Sequence, residues 1–191
     1  MIIGIDISQI VYKTGVSNYL LELVSHMIAQ NTSDKFVLFG SSLRQQQIFI
    51  DLQKTFKNYS HVEFKIFPFP PTALDILWNK LHILPIEWFI GKVDVFVSSD
   101  WTQPPTQSAK KATILYDLIV YKYPEETHNQ WRFNWKTFLI KPNIVASQKR
   151  RLYWVKKEVD KIICISESTK KDAEELLYLA PKKLVVAYPG V

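Results

Sequence analysis

The chain has 191 residues, of which 47% are hydrophobic and 22% are charged, and its formal net charge is +6. This length fits one α/β domain, and this composition is that of a globular chain and excludes a disordered one. The single cysteine, Cys164, excludes an intrachain disulfide and a multi-cysteine metal site. Because Cys164 lies in an apolar run, we predict a buried structural thiol and not a nucleophile.

The amino terminus is predicted to be a buried first strand. The acidic Asp6 comes before any basic region or long apolar stretch, so the start of the chain lacks the pattern of a secretory signal. No window approaches the roughly 18 consecutive apolar residues that a membrane-spanning helix needs. We therefore expect a cytoplasmic protein without a spanning helix.

Seven short runs rich in Val, Ile and Phe predict β-strands, at residues 2–7, 36–40, 62–67, 93–98, 112–116, 161–165 and 184–188. Most of these runs are apolar on both faces, as expected for parallel strands covered by helices on each side. We predict one Rossmann-like α/β domain over residues 1–191, with a doubly wound, mostly parallel sheet and helices on both faces. Ligands of such sheets bind beyond the carboxyl ends of the strands, so we expect the site there.

Three helices are predicted between these strands. Residues 16–30 carry apolar side chains at spacings of three and four, which predicts a helix packed on one face. Ser166 supplies a hydroxyl cap for a second helix, which ends before Pro181. Residues 74–90 predict a third helix, broken at a proline, in which both tryptophans pack internally; contact with a lipid acceptor is the alternative for Trp78 and Trp88.

The first strand leads into a turn that contains Gly15 and then into the first long helix. A glycine here lets a ligand phosphate approach backbone N–H groups, and the helix N-terminus adds a partial positive charge. On this interpretation Gly15 and Val16 donate to a phosphate. Neither G-x-G-x-x-G nor a Walker loop is present, so the alternative is a loop glycine needed only for its backbone angles.

Polar and aromatic side chains follow two neighbouring strands. Asp100 and Trp101 follow the fourth strand, and Tyr116 and Asp117 follow the fifth. Such groups hold a sugar by hydrogen bonding and ring stacking. The alternative for Asp117 is the cap of a turn or helix. The four histidines are scattered without metal-ligand spacing, so we predict no metal site.

Several segments match the pattern of one known family. The sixth strand leads into Ser166-Glu167-Ser168-Thr169, and the seventh ends in Pro189-Gly190-Val191. Upstream lie the Gly15 turn, Tyr116-Asp117-Leu118 and Tyr123-Pro124-Glu125. Together they resemble the N-terminal domain of the family 4 glycosyltransferases, which have the GT-B fold, and the resemblance spans nearly the whole chain.

The resemblance implies the acceptor-side half of a retaining hexosyltransferase. The complete protein would move a sugar from a nucleotide-diphosphate sugar to a glycan or lipid-linked acceptor, as in polysaccharide biosynthesis. A C-terminal donor-binding domain or subunit would complete the cleft, so residues 1–191 alone would be inactive. The implied residues are Tyr116 and Asp117 for catalysis, Gly15 and Val16 for the donor phosphate, and Asp100, Trp101, Ser166, Glu167 and Ser168 on the acceptor side.

No cofactor is implied by the resemblance, and the chain contains no Asp-x-Asp pair, so we expect metal-independent transfer. Two residues depart from the family pattern. Tyr116 stands where many members have histidine, and Asn18 where many have arginine. A phenol with an ordinary pKa of about 10 is a poor general base at neutral pH, so we interpret Tyr116 as a positioning residue.

The basic charge is concentrated in residues 110–161, which contain twelve Lys or Arg against five Asp or Glu. Aromatic residues between Trp131 and Leu139 accompany Lys149, Arg150, Arg151, Lys156 and Lys157. This combination favours peripheral contact with the inner face of an anionic membrane. The alternative is an aromatic core with solvated charges.

Two further functions compete with the transferase. A non-catalytic binding module, or one subunit of a split transferase, would use the same half-domain, and a reading frame continuing past Val191 would distinguish them. Single-stranded nucleic acid would stack on Trp131, Trp135, Tyr153 and Trp154, but we do not favour this partner.

Overall fold

The computed structural model describes residues 1–123 and 144–189. Seven parallel strands form one sheet in the order β3-β2-β1-β4-β5-β6-β7. The strands are β1 (Ile2–Asp6), β2 (Lys35–Ser41), β3 (Val62–Phe67), β4 (Val95–Ser98), β5 (Lys110–Leu115), β6 (Lys161–Cys164) and β7 (Leu184–Val186). The predicted doubly wound, Rossmann-like α/β fold is therefore confirmed, and every predicted strand is present.

Helices lie between most successive strands, whereas β4 and β5 are joined by a loop without a helix. The helices are α1 (Gly15–Gln30), α2 (Gln46–Thr55), α3 (Pro71–Leu74), α4 (Glu87–Ile90), α5 (Ile119–Lys122), α6 (Ile144–Glu158) and α7 (Glu167–Leu177). Short 3₁₀ turns lie at Ser8–Tyr12 and Pro181–Lys183, and a π-helical turn at Asp75–Lys80. None of the helices described is long and apolar enough to cross a bilayer.

Three groups of buried apolar side chains hold the layers together. The first joins α1 and α2 to β1, β2 and β5 and includes Leu20, Val24 and Phe36. The second joins α6 and α7 to β5 and β6, and it contains the buried Cys164, as predicted. The third lies around Trp78 and Phe96 and covers part of β2 and β4. Both faces of the sheet are therefore covered, which explains the apolar character of its strands.

The predicted break in the third helix is present, and the interruption spans residues 81–86. Residues 71–90 form α3, the π-helical turn and α4 in succession, with left-handed backbone at His82 (φ 54°) and Leu84 (φ 59°) between the last two. Trp78 is fully buried and donates its indole N–H to the Leu84 carbonyl at 3.0 Å. Trp88 is 64% exposed, so internal packing is confirmed for Trp78 and wrong for Trp88.

The other two predicted helices are confirmed with small changes at their ends. α1 begins one residue earlier, at Gly15, and α7 ends at Leu177, where Tyr178 adopts a left-handed conformation (φ 55°). Some sequence predictions fall on residues outside the described ranges. They are those for Pro124, Glu125, Trp131, Phe133, Trp135, Phe138, Leu139, Gly190 and Val191.

Candidate functional site

A pocket of about 920 Å³ lies where α1 begins, beside the carboxyl ends of β5 and β6. The order of the strands reverses between β1 and β4, and crevices at such points are where doubly wound sheets bind ligands. The pocket is lined by Gly15, Val16, Asn18, Tyr19, Glu22, Leu23, His26, Tyr116, Asp117, Ile165, Tyr188 and Pro189. It therefore brings together the predicted phosphate-binding pair and the predicted catalytic pair.

The start of α1 presents backbone donors to this pocket. Thr14 caps the helix by accepting the Ser17 N–H on its hydroxyl oxygen, at 3.4 Å. The N–H groups of Gly15 and Val16 lie in the first turn, where no intrahelical acceptor exists. The helix N-terminus adds a partial positive charge to these two donors. An anionic group is thus the chemical partner that this end of the pocket favours.

Gly15 is not required by its backbone angles. Its φ lies outside the left-handed region, and a Cβ added to it would meet no atom within 4 Å. The alternative interpretation, a glycine needed only for its conformation, therefore lacks support. Gly15 lines the pocket and has no side chain, so a ligand can approach its backbone closely.

Tyr116 forms one wall of the pocket. Its ring packs edge-on against Tyr19, with the ring centroids 5.6 Å apart. The phenol oxygen is buried and has no hydrogen-bond partner among the described residues. Burial raises the pKa of Tyr116 well above its ordinary value, and the nearby Asp100 carboxyl raises it further. At neutral pH the phenol therefore keeps its proton and can donate a hydrogen bond but cannot act as a general base, which suits a positioning role.

Asp117 is exposed at the edge of the same pocket. Its Oδ1 accepts the Ile119 N–H at 3.1 Å, so the carboxylate caps the turn that leads into the short helix α5. The capping alternative is therefore confirmed, but it occupies only one of the two oxygens. The second oxygen of Asp117 remains available at the lining of the pocket.

The segment after β7 closes the opposite wall. Tyr19 of α1 donates its phenol O–H to the Ala187 carbonyl at 2.9 Å, and Tyr188 and Pro189 follow directly. This single hydrogen bond joins residues 168 positions apart in the chain. It connects the glycine turn with the carboxyl-terminal segment, two regions that the sequence patterns identified separately.

The three predicted acceptor-side residues near β6 lie outside the lining. Ser166 caps α7 by accepting the Thr169 N–H on its Oγ at 3.0 Å, and Glu167 and Ser168 are exposed in the first turn. The Thr169 hydroxyl then donates to the Tyr116 carbonyl at 3.1 Å. In the structure Ser166 therefore caps α7, and Thr169 attaches the start of that helix to the end of β5.

The other two predicted acceptor-side residues lie between α6 and the turn after β1. The ring centroids of Trp101 and Tyr12 are 6.1 Å apart, and both rings are partly exposed. The Asp100 carboxylate lies 3.4 Å from Nη1 of Arg151, while the Asp100 carbonyl accepts from Gln148. Burial raises the pKa of Asp100 to about 6, an effect that Arg151 opposes and Asp117 reinforces.

A buried polar network under this edge was not predicted. Arg151 is fully buried and donates to the Thr113 hydroxyl at 2.8 Å and to the Ile114 carbonyl at 3.0 Å. Asp6, at the end of β1, accepts from the Ser8 N–H and the Ser99 hydroxyl, and burial raises its pKa. A sequence signal existed for Asp6, because an acid ends a buried strand there. No pattern distinguishes Arg151 from its solvated basic neighbours.

The burial of Arg151 also corrects the predicted membrane-facing set. Lys149, Lys156 and Lys157 are exposed, whereas Arg151 contributes its charge to the interior. Among residues 1–123 and 144–189, no three His, Cys, Asp or Glu side chains are grouped so as to hold a metal ion. No protein-family model matches the chain, and no curated protein matches it either.

Proposed function

We propose that this domain is the acceptor-side half of a retaining glycosyltransferase that uses a nucleotide-diphosphate sugar. One observation carries the proposal: a single pocket is lined by Gly15 and Val16 at a helix N-terminus and by Tyr116 and Asp117 at the end of β5. These four residues come from two separate motifs of the sequence resemblance. Amide donors on one wall suit a diphosphate, and a phenol with a carboxylate on the other suits sugar hydroxyls.

The roles follow from the chemistry of each group. The Gly15 and Val16 amides would stabilise the negative charge that develops on the departing diphosphate, an interaction strongest in the transition state. Tyr116 would donate one hydrogen bond, and the free oxygen of Asp117 would accept one. A donor-binding domain or subunit would supply the remaining contacts to the nucleotide. No step in this scheme requires a metal ion or cofactor.

The test measures sugar transfer from a panel of nucleotide-diphosphate sugars to glycan and polyprenyl-phosphate acceptors. It uses the complete natural protein and, in parallel, residues 1–191. We expect transfer by the complete protein and none by residues 1–191. Vigorous transfer by residues 1–191 would contradict the division of roles, and no transfer by either sample would contradict the proposal.

Gly15→Ala in the complete protein tests the site itself. The new methyl group would enter the pocket without touching any protein atom, so folding should be unaffected. A ligand phosphate would be held away from the amides, and we expect transfer to fall roughly 10- to 100-fold, the effect of a displacement of about 1 Å. Gln30→Ala, at the opposite end of the same helix, is the control. Unchanged transfer by the Gly15 variant would remove Gly15 from the site.

A further inference from the structure

A second cavity, of about 390 Å³, lies between the π-helical turn and α6. It is called the α6 groove below and is lined by Asn79, Lys80, Lys149, Arg150, Tyr153 and Trp154. The Trp154 indole N–H donates to the Asn79 carbonyl at 2.9 Å, and the Trp154 ring stacks on His82 with centroids 3.6 Å apart. These contacts join the two elements, so the floor of the groove is a fixed part of the fold.

The positive charge of the α6 groove is not balanced by acids within the described part of the chain. Lys80 and Lys149 are exposed, and neither has a carboxylate within ion-pair distance there. Arg150 pairs with Asp75 at 2.8 Å. Asp75 also accepts hydrogen bonds from Ser147 and from Asn79, so its carboxylate is fully engaged. Three cations thus face one internally bonded anion.

Aromatic side chains and a helical spacing separate this groove from an ordinary solvated surface. Lys149, Tyr153 and Lys157 recur at intervals of four residues, which places them on one face of α6. The Lys157 ammonium lies 4.5 Å from the centroid of the Tyr153 ring, and Tyr153 is 51% exposed. Charged donors and a flat apolar wall therefore occur together.

We propose that the α6 groove binds a phosphate group, carried either by a lipid headgroup or by a soluble phosphoester. Arginine and lysine side chains are the usual donors to phosphate oxygens, and the groove offers three of them. Its volume exceeds that of a phosphate and leaves room for the group that carries it. The proposal goes beyond glycosyl transfer and does not depend on it, because it rests only on the residues of this groove.

The groove also adjoins the predicted acceptor side. The Asn79 side-chain amide donates to the Trp101 carbonyl at 2.9 Å, and Gln148 of α6 donates to the Asp100 carbonyl at 2.8 Å. A phosphate held in the groove would therefore lie next to the loop that follows β4.

The test compares two double variants that each remove two positive charges. Lys80→Gln with Lys149→Gln changes the α6 groove, and Lys57→Gln with Lys92→Gln changes two exposed lysines elsewhere. Binding is measured by co-sedimentation with phosphatidylcholine vesicles, with and without phosphatidylglycerol. In parallel, the indole N–H resonance of Trp154 is followed during titration with inorganic phosphate against chloride at equal ionic strength. Circular dichroism checks the folding of both variants.

We expect the groove variant to bind about 25-fold more weakly than the control variant, because the loss of each lysine charge should weaken binding about fivefold. Binding to phosphatidylglycerol vesicles without a phosphate-induced shift of Trp154 assigns the lipid headgroup. A Trp154 shift without vesicle binding assigns the soluble phosphoester. Equal losses in the two variants, or no binding in either assay, would overturn the proposal. Since no sugar transfer is measured, either result leaves the glycosyltransferase proposal to its own test.

Discussion

The two long helices that cover the sheet, α1 and α6, are attached to it in different ways. α1 is attached through the apolar side chains of Leu20, Val24 and Ile28, all of which are buried. α6 has its own apolar side chains in the core, but it also buries Arg151, whose guanidinium reaches the Thr113 hydroxyl and the Ile114 carbonyl. The stability that the apolar contacts of α1 contribute depends on the buried area. The stability that the hydrogen bonds of Arg151 contribute depends on their distances and angles.

Arg151 links α6 to the carboxyl edge of the sheet, whereas Leu20, Val24 and Ile28 of α1 make only apolar contacts with the core. Arg151 also faces the Asp100 carboxylate, and Gln148 holds the Asp100 carbonyl. The loop after β4 is thus held by side chains from a helix that lies far from it in the chain. Substitutions of Leu20, Val24 and Ile28 should affect stability only, while substitutions of Arg151 and Gln148 should affect stability and the loop after β4 together.

The largest effect is expected for Arg151→Ala. The change leaves buried hydrogen-bond partners of Arg151 unpaired, so the free energy of unfolding should fall by about 4 kcal/mol. Urea unfolding followed by circular dichroism measures it. The matched control is Arg150→Ala on the same helix. That side chain is 36% exposed and pairs with Asp75, so its loss should cost about 1 kcal/mol. Similar losses for the two arginines would refute the distinction drawn for α6.

A smaller effect is expected for Leu20→Ala on the other helix. The buried leucine leaves a cavity in the apolar core, and the free energy of unfolding should fall by about 3 kcal/mol. The loss should be the same at low and high salt, because no charge contributes to this contact. The control is Leu21→Ala. Because Leu21 is only partly buried, this change should lower the free energy of unfolding by about 1 kcal/mol. A salt-dependent loss at Leu20 would show that charged groups contribute to this contact.

The sequence predicted what depends on periodicity and missed what depends on distant partners. All seven strands and the helix at residues 16–30 follow from apolar spacing and are present. The interruption within residues 71–90 was only partly predicted, because left-handed backbone at His82 and Leu84 has no signal comparable to that of proline or glycine. A local pattern cannot report a conformation that surrounding packing imposes.

The candidate site also contains residues that local sequence patterns predict and residues that they miss. Gly15, Val16, Tyr116 and Asp117 follow strand ends in the sequence, and the parallel topology brings them to one pocket. The partners of Arg151 come from β5 and from the loop after β4, so nothing near Arg151 in the sequence indicates its burial. Ser166 was recognised as a helix cap, and its hydroxyl serves that purpose in the structure.

The smallest effect, and the sharpest test of the α6 attachment, concerns Asp100→Asn as a function of pH. The Asp100 side chain is 26% exposed, and burial raises its pKa from 3.8 to about 6 although Arg151 lies 3.4 Å away. Between about pH 4 and pH 6 the unfolded chain ionises this carboxyl before the folded chain does, so folding stability falls as pH rises. Above about pH 6 both states are ionised, and the loss is constant.

Asparagine does not titrate, and the other ionisable groups contribute equally to the wild type and to the variant. The free energy of unfolding of the wild type minus that of Asp100→Asn should therefore decrease across this window, by about 2 kcal/mol, and then level off. Urea unfolding at a series of pH values measures this difference. An increase across the same window would mean that Arg151 outweighs burial and keeps Asp100 ionised. In that case Arg151 and Asp100 would form a stabilising ion pair at neutral pH. Arg151→Ala should then lower the free energy of unfolding more at neutral than at acidic pH.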